Sequence, residues 1–202
     1  MSAAGGILGP VGGPDLLVRM RGRAVGAIVC AGFGAYALYW WTEAAVEGEL
    51  RLWFIAIAAA TAILVVWAIA NLVALRHVPR VTLDKRLVRS YRIGYALIVA
   101  IEGAAISAGG PILGHFHRPD LYGQWVGAVV GLHFFPLGKL FKIPLYHWTG
   151  AAISLAAFGS LLVSPSPLRS AITAGGTGVA LWITAIVTLN KNLRDKSGKV
   201  VC

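Results

Sequence analysis

The stretch Ile93–Leu113 reads IGYALIVAIEGAAISAGGPIL. Its residues are apolar or small almost throughout, and it carries one carboxylate, Glu102. A run of about twenty such residues, rising 1.5 Å each as a helix, covers the ~30 Å hydrocarbon core of a bilayer. An acid at that depth costs on the order of 3 kcal/mol unless it is neutral, paired or hydrated. Glu102 lies nine residues beyond Ile93, near the midplane, and so marks a candidate functional site.

The rest of the chain reads the same way. Of 202 residues, 57% are hydrophobic and 13% charged, with mean hydropathy +0.74. A soluble domain carries about 25% charged residues. The apolar residues gather in blocks, which predicts an all-α polytopic helix bundle in a single transmembrane domain. Six spans are expected, at about 24–45, 53–75, 93–113, 121–137, 145–163 and 171–190. Residues 1–22 and 191–202 would be cytoplasmic tails. The fourth span is the shortest and is expected to end at Phe135-Pro136, thin or broken. Pro119, Pro136, Pro144, Pro165 and Pro167 are expected in or beside loops.

The net charge of +10 lies between and outside these blocks. With the N-terminus inside, the inner segments hold Arg19, Arg21 and Arg23, then Arg76 to Arg92, then Lys139 and Lys142, then Lys191 to Lys199. Only Arg51, Arg118 and Arg169 fall outside. This asymmetry favours six spans with both termini cytoplasmic in a cell membrane. The expected partners are membrane lipids and a small hydrophobic molecule, not nucleic acid. The glycine- and proline-rich start lacks a basic leader, so an uncleaved first helix is expected. Cys30 and Cys202 do not make a disulfide framework or a cysteine metal site. No phosphate-binding loop, dinucleotide fingerprint or His-Glu-x-x-His motif occurs, and no cofactor is implied.

Small residues suggest how the helices pack. Gly123, Gly127 and Gly131 form a stripe on the fourth helix, a candidate contact with the third helix or with a second copy of the chain. The third helix offers Gly103 with Ser107 and Ala105 with Gly109. Thr173, Thr177, Thr184 and Thr188 share a face of the sixth helix, where threonines commonly bond their own i−4 carbonyls. No internal repeat joins the two halves.

The polar residues inside the blocks are the candidate site. Glu102 is the acid, and Tyr95, two turns earlier on its face, is a candidate hydrogen-bond partner. His133 lies toward the inner end of the fourth helix, roughly 7 Å deeper by helix rise, as a proton relay. Tyr36, Tyr39, Trp125 and Phe134 are candidate substrate-lining residues, able to stabilise positive charge through their ring faces. Glu43 ends the first helix beside them, as a mouth for a cationic ligand or as part of a solvated loop with Glu47 and Glu49. Tyr146 and Trp148 read as interfacial anchors. His115, His117 and Asp120 lie in one outer loop but lack a further clear ligand, so no metal is expected there.

The stretch Gly131–Gly150, GLHFFPLGKLFKIPLYHWTG, resembles a signature of small bacterial multi-spanning membrane proteins. In these a Gly-x-His-Phe-x-Pro-Leu segment ends one helix and a short basic turn leads into the next. The resemblance covers about twenty residues; it implies a membrane fold and brings no activity with it. A looser similarity of size and layout to small integral membrane terpene cyclases implies isoprenoid chemistry and transfers no residues. Three readings follow: an acid–base enzyme on a lipidic or isoprenoid substrate, a proton-coupled transporter or channel, and a membrane scaffold subunit.

Overall fold

The computed structural model describes residues 14–45, 50–76, 85–163 and 166–197. They form six α-helices: α1 (Pro14–Ala45), α2 (Leu50–Ala74), α3 (Lys85–His115), α4 (Tyr122–Phe141), α5 (Pro144–Ser160) and α6 (Ser166–Ser197). A single 3₁₀ turn, Pro119–Leu121, leads into α4. No strand occurs among the described residues. Four helices are long and apolar enough to cross a membrane: Met20–Glu43, Arg51–Ala74, Arg89–His115 and Pro167–Asp195. Glu102 is the central residue of the third of these. Glu47, Glu49, Arg80, Pro165 and Cys202 lie outside the described residues.

Several helices run past their apolar blocks. α3 starts at Lys85 and α6 continues to Ser197. Lysine and arginine are good helix formers, so the i→i−4 ladder continues where the hydrocarbon ends. The expected break in α4 is absent: Pro136 lies inside it, and the helix runs on to Phe141. Pro111 likewise lies inside α3. α4 instead ends at Lys142, which adopts a left-handed conformation (φ 53, ψ 43). The Ile143 N–H bonds back to the Gly138 carbonyl at 3.0 Å, and Pro144 opens α5 at a position that needs no N–H donor.

The bundle centre is built from α1, α4, α5 and α6. The spanning stretch of α6 is 44% buried and that of α1 33%, against 11% for α2 and 6% for α3. α2 packs on α1 and α6, whereas α3 packs on α4. Glycines let α1 and α6 close up: a Cβ at Gly178 would lie 2.9 Å from the Gly34 carbonyl. Trp182 fills the space beside Gly34 and donates to the Ala31 carbonyl at 3.3 Å. At the basic end, Arg23 pairs with Asp195 at 2.6 Å, and the fully buried Asn192 amide donates to the Met20 carbonyl at 3.0 Å.

The glycine stripe of α4 faces α5 and α6, not α3. A Cβ at Gly127 would meet Thr173 at 2.6 Å and Ala157 at 3.2 Å, and one at Gly131 would meet the Ser154 hydroxyl at 2.5 Å. Gly127 and Gly131 are buried, so this part of the stripe is an interface within the chain, whereas Gly123 is exposed. α3 meets α4 on another face, using Ala105 and Gly109 but not Gly103, whose surroundings are open within 4 Å. The α6 threonines serve packing: Thr173 and Thr184 bond the carbonyls of Arg169 and Ala180, and reach Ser160 and Thr149 across the seam. Tyr146 is no interfacial anchor. It is buried, meets Phe134 edge-on at 5.6 Å and lies over Gly26.

Candidate functional site

α3 and α4 run antiparallel, and their contacts fall in one register. Gly94 faces Leu140, Glu102 faces His133, and Gly109 faces Trp125. Along α3 this stripe passes through Ile98, Glu102, Ala105 and Gly109, the three- and four-residue steps of one helix face. Glu102 therefore turns inward, toward α4, although most of its helix is exposed.

His133 Nδ1 lies 3.1 Å from Glu102 Oε1, with the two side chains 15% and 18% exposed. The expected depth offset is taken up by the side chains, and the residues meet without an intervening water or substrate. The same Nδ1 lies 2.7 Å from the Val130 carbonyl. Both neighbours are oxygen acceptors, and a carbonyl has no proton to give, so the ring hydrogen belongs on Nδ1. This leaves Nε2 as the nitrogen that gains or loses a proton. The Val130 carbonyl is the part of the site that sequence reading missed, because any helical residue at that position supplies it.

Aromatic side chains flank the pair along the seam. Toward the Glu43 end, Trp125 lies against Gly109 and donates Nε1–H to the Ala105 carbonyl at 2.8 Å. Toward the basic end, Tyr95 meets Phe141 at 6.1 Å. Phe134 packs beside the His133 ring at 4.7 Å.

The remaining expected site residues do not converge on the pair. Tyr95 makes no hydrogen bond to Glu102 among the described residues; two turns separate them by about 10 Å along the axis, beyond a tyrosine's reach to a carboxylate. Phe134 is a core residue at 6% exposure. Trp125 is engaged with α3 and lines no open space at the pair. Tyr36, Tyr39 and Glu43 lie together on the outward face of α1 and are exposed. His115, His117 and Asp120 do not assemble a centre. Among the described residues no three metal-ligating side chains come together, and Asp120 is held by Arg118 and Arg169, each at 3.2 Å. The hydrogen bond from Arg118 is the main reason the Asp120 carboxyl lies below its usual range.

A second set of polar groups lies in the α4–α5–α6 seam. Both amide atoms of Gln124, the Ser154 hydroxyl and the Thr177 hydroxyl are buried without a partner among the described residues. Sequence reading passed over Gln124, whose signal is its place three residues before Gly127 on the same face.

No protein-family model matches the chain, and no curated protein or solved structure is significantly similar to it.

Proposed function

We propose that this is a membrane enzyme that performs acid–base chemistry on a lipidic or isoprenoid substrate, with Glu102 and His133 as its proton-handling pair. The observation that carries the reading is the 3.1 Å contact between Glu102 Oε1 and His133 Nδ1 at the middle of a span. An intramembrane acid is expensive to keep. Here it is matched with the one side chain that ordinarily changes charge near neutral pH. With Nδ1 held by Val130 and Glu102, Nε2 takes a proton from substrate or returns one, and Glu102 offsets the charge that develops on the ring. The two side chains are only 15% and 18% exposed, which limits the water that competes for that proton. The similarity in layout to small membrane terpene cyclases points to the same substrate class.

The chain crosses the membrane six times in this reading, α4 and α5 forming a hairpin between the long spans. Both termini are then cytoplasmic, in the inner membrane of a bacterium. The distribution of lysine and arginine supports it.

A proton-coupled transporter is the second reading. It is favoured by the unpartnered polar atoms of Gln124, Ser154 and Thr177, which suit a hydrated path through the bundle. The unbroken courses of α3 and α4 through Pro111 and Pro136 weigh against it.

The test compares lipid and metabolite profiles of cells expressing wild type, Glu102→Gln or His133→Phe at matched membrane levels. A species made by wild type and lost in both variants identifies the product. Identical profiles reject the enzyme, and Glu102-dependent proton flux in liposomes would then establish the transporter.

A further inference from the structure

The outward face of α1 carries features that neither helix packing nor the Glu102 site uses. Val25, Val29, Phe33, Tyr36 and Trp40 are 44–65% exposed there. A groove of about 410 Å³ runs along this face, lined by Ile28, Val29, Gly32, Phe33 and Tyr36. Gly32 has no neighbour within 4 Å of a Cβ position, so its missing side chain leaves room to the groove and serves no contact within the protein.

The face changes character along its length. Above the groove, Tyr36 and Trp40 stand at 78° with centroids 6.2 Å apart; Tyr39, which stacks on Phe54 of α2 at 5.1 Å, meets Trp40 at 85° and 6.0 Å. Near-perpendicular aromatic rings form a corner of the kind that holds an ammonium group by cation–π contact. One turn beyond Tyr39 and Trp40, Glu43 is exposed and makes no ion pair among the described residues. Helical spacing keeps all these residues on one side of α1. From Ile28 to Glu43 the strip measures about 22 Å at 1.5 Å per residue. One leaflet including its headgroups is about 20–22 Å thick, half of a ~40–45 Å bilayer.

We propose that this strip binds one phospholipid with a cationic headgroup group, an amine or quaternary ammonium, from the leaflet at the Glu43 end. The acyl chain lies in the Ile28–Tyr36 groove, the ammonium sits against the Tyr36–Trp40 corner, and Glu43 supplies the opposing charge. The site is separate from Glu102 and stands whether or not that pair does chemistry.

The test is native mass spectrometry of the full-length protein with phosphatidylethanolamine or phosphatidylglycerol of identical chains. Wild type should retain the ethanolamine lipid about two- to fivefold more strongly, the range expected for an exposed cation–π contact. Glu43→Gln and Trp40→Leu should each abolish the preference. Gly32→Leu, whose Cβ has open space within 4 Å, fills the groove and should weaken retention of both lipids. Circular dichroism melting curves matching wild type would establish that the variants are folded. Equal retention by wild type, or a preference that survives both Glu43→Gln and Trp40→Leu, overturns the proposal. Displacement by free choline as effective as by lipid would assign the corner to a soluble amine and overturn the lipid assignment.

Discussion

Breaking the Glu102–His133 contact should produce a measurable coupling energy between the two residues. At 3.1 Å and an effective dielectric constant near 20, full charges would attract by about 5 kcal/mol. Most of this is offset by the solvation each group gives up on leaving water or headgroups. Polar pairs across membrane helices average about 0.6 kcal/mol in double-mutant cycles and reach about 1.7. A hydrogen bond to a charged group contributes about 1.5–3 kcal/mol. The two ranges meet at about 1.5–1.7 kcal/mol, which is the expected coupling. The cycle uses Glu102→Leu, His133→Phe and the double variant. Phenylalanine preserves the ring packing against Phe134, 4.7 Å away. Stability is read by SDS-driven unfolding in mixed micelles, followed by far-ultraviolet circular dichroism. Glu102→Gln separates charge from shape, since the amide keeps the size and place of the carboxylate, and should retain about half of the coupling. A coupling below about 0.5 kcal/mol would refute the reasoning: the two side chains would then be near neighbours with no preferential bond, and the proton-handling role would lose its basis.

Four further outcomes follow from the geometry. Gly131→Ala should destabilise by about 2–3 kcal/mol, because the new Cβ meets the Ser154 backbone nitrogen at 2.7 Å and the Gly150 carbonyl at 3.1 Å, neither of which can rotate away. Gly103→Ala, in open space, should stabilise by about 0.5–1 kcal/mol through helix propensity, and the same unfolding assay compares the two. Lys142→Gly should gain about 1 kcal/mol, since a left-handed φ of 53 strains lysine and not glycine. For Asp120, the ionised form is favoured in the folded loop, so its contribution is present above the unfolded pKa and is lost as pH falls through the lowered folded value. Arg118→Gln should move the Asp120 carboxyl back up toward its ordinary value in an NMR titration.

The sequence made the spans legible and left their orientation about their own axes obscure, and the reason is physical. In water a helix declares its buried face by keeping apolar residues on one side. In lipid both faces are apolar, so the pattern vanishes. Gly123, Gly127 and Gly131 could be recognised as a close-packing stripe, but nothing in α4 alone distinguishes α5 and α6 from α3 as the neighbour. Tyr146 carried the chemistry of an interfacial anchor and lies buried against Phe134, because the tight turn at Lys142 folds α5 directly onto α4. Prolines misled for a related reason. Pro136 removes one hydrogen bond from α4, and the helix continues because its remaining backbone groups have no water to turn to. Helix ends are legible in the sequence only as bilayer edges, whereas α3 runs on through Lys85–Arg92 beyond its apolar block.

Glu102 escaped this ambiguity because its charge fixes its orientation. A carboxylate on α3 cannot face lipid at low cost, so it must turn toward whichever helix offers a partner. α4 offers His133 in the antiparallel register set by Gly94 with Leu140 and Gly109 with Trp125. The direction of dependence then reverses. α3 buries only 6% of its spanning stretch, too little apolar packing to hold it firmly on the bundle. The Glu102–His133 contact and the Trp125 hydrogen bond to Ala105 are therefore a large part of what fixes α3 in place. Under the proposed function, the acid that exchanges protons is also the acid that docks its own helix. That is why Glu102→Gln, which keeps the contact and removes the charge, separates the two roles, whereas Glu102→Leu removes both.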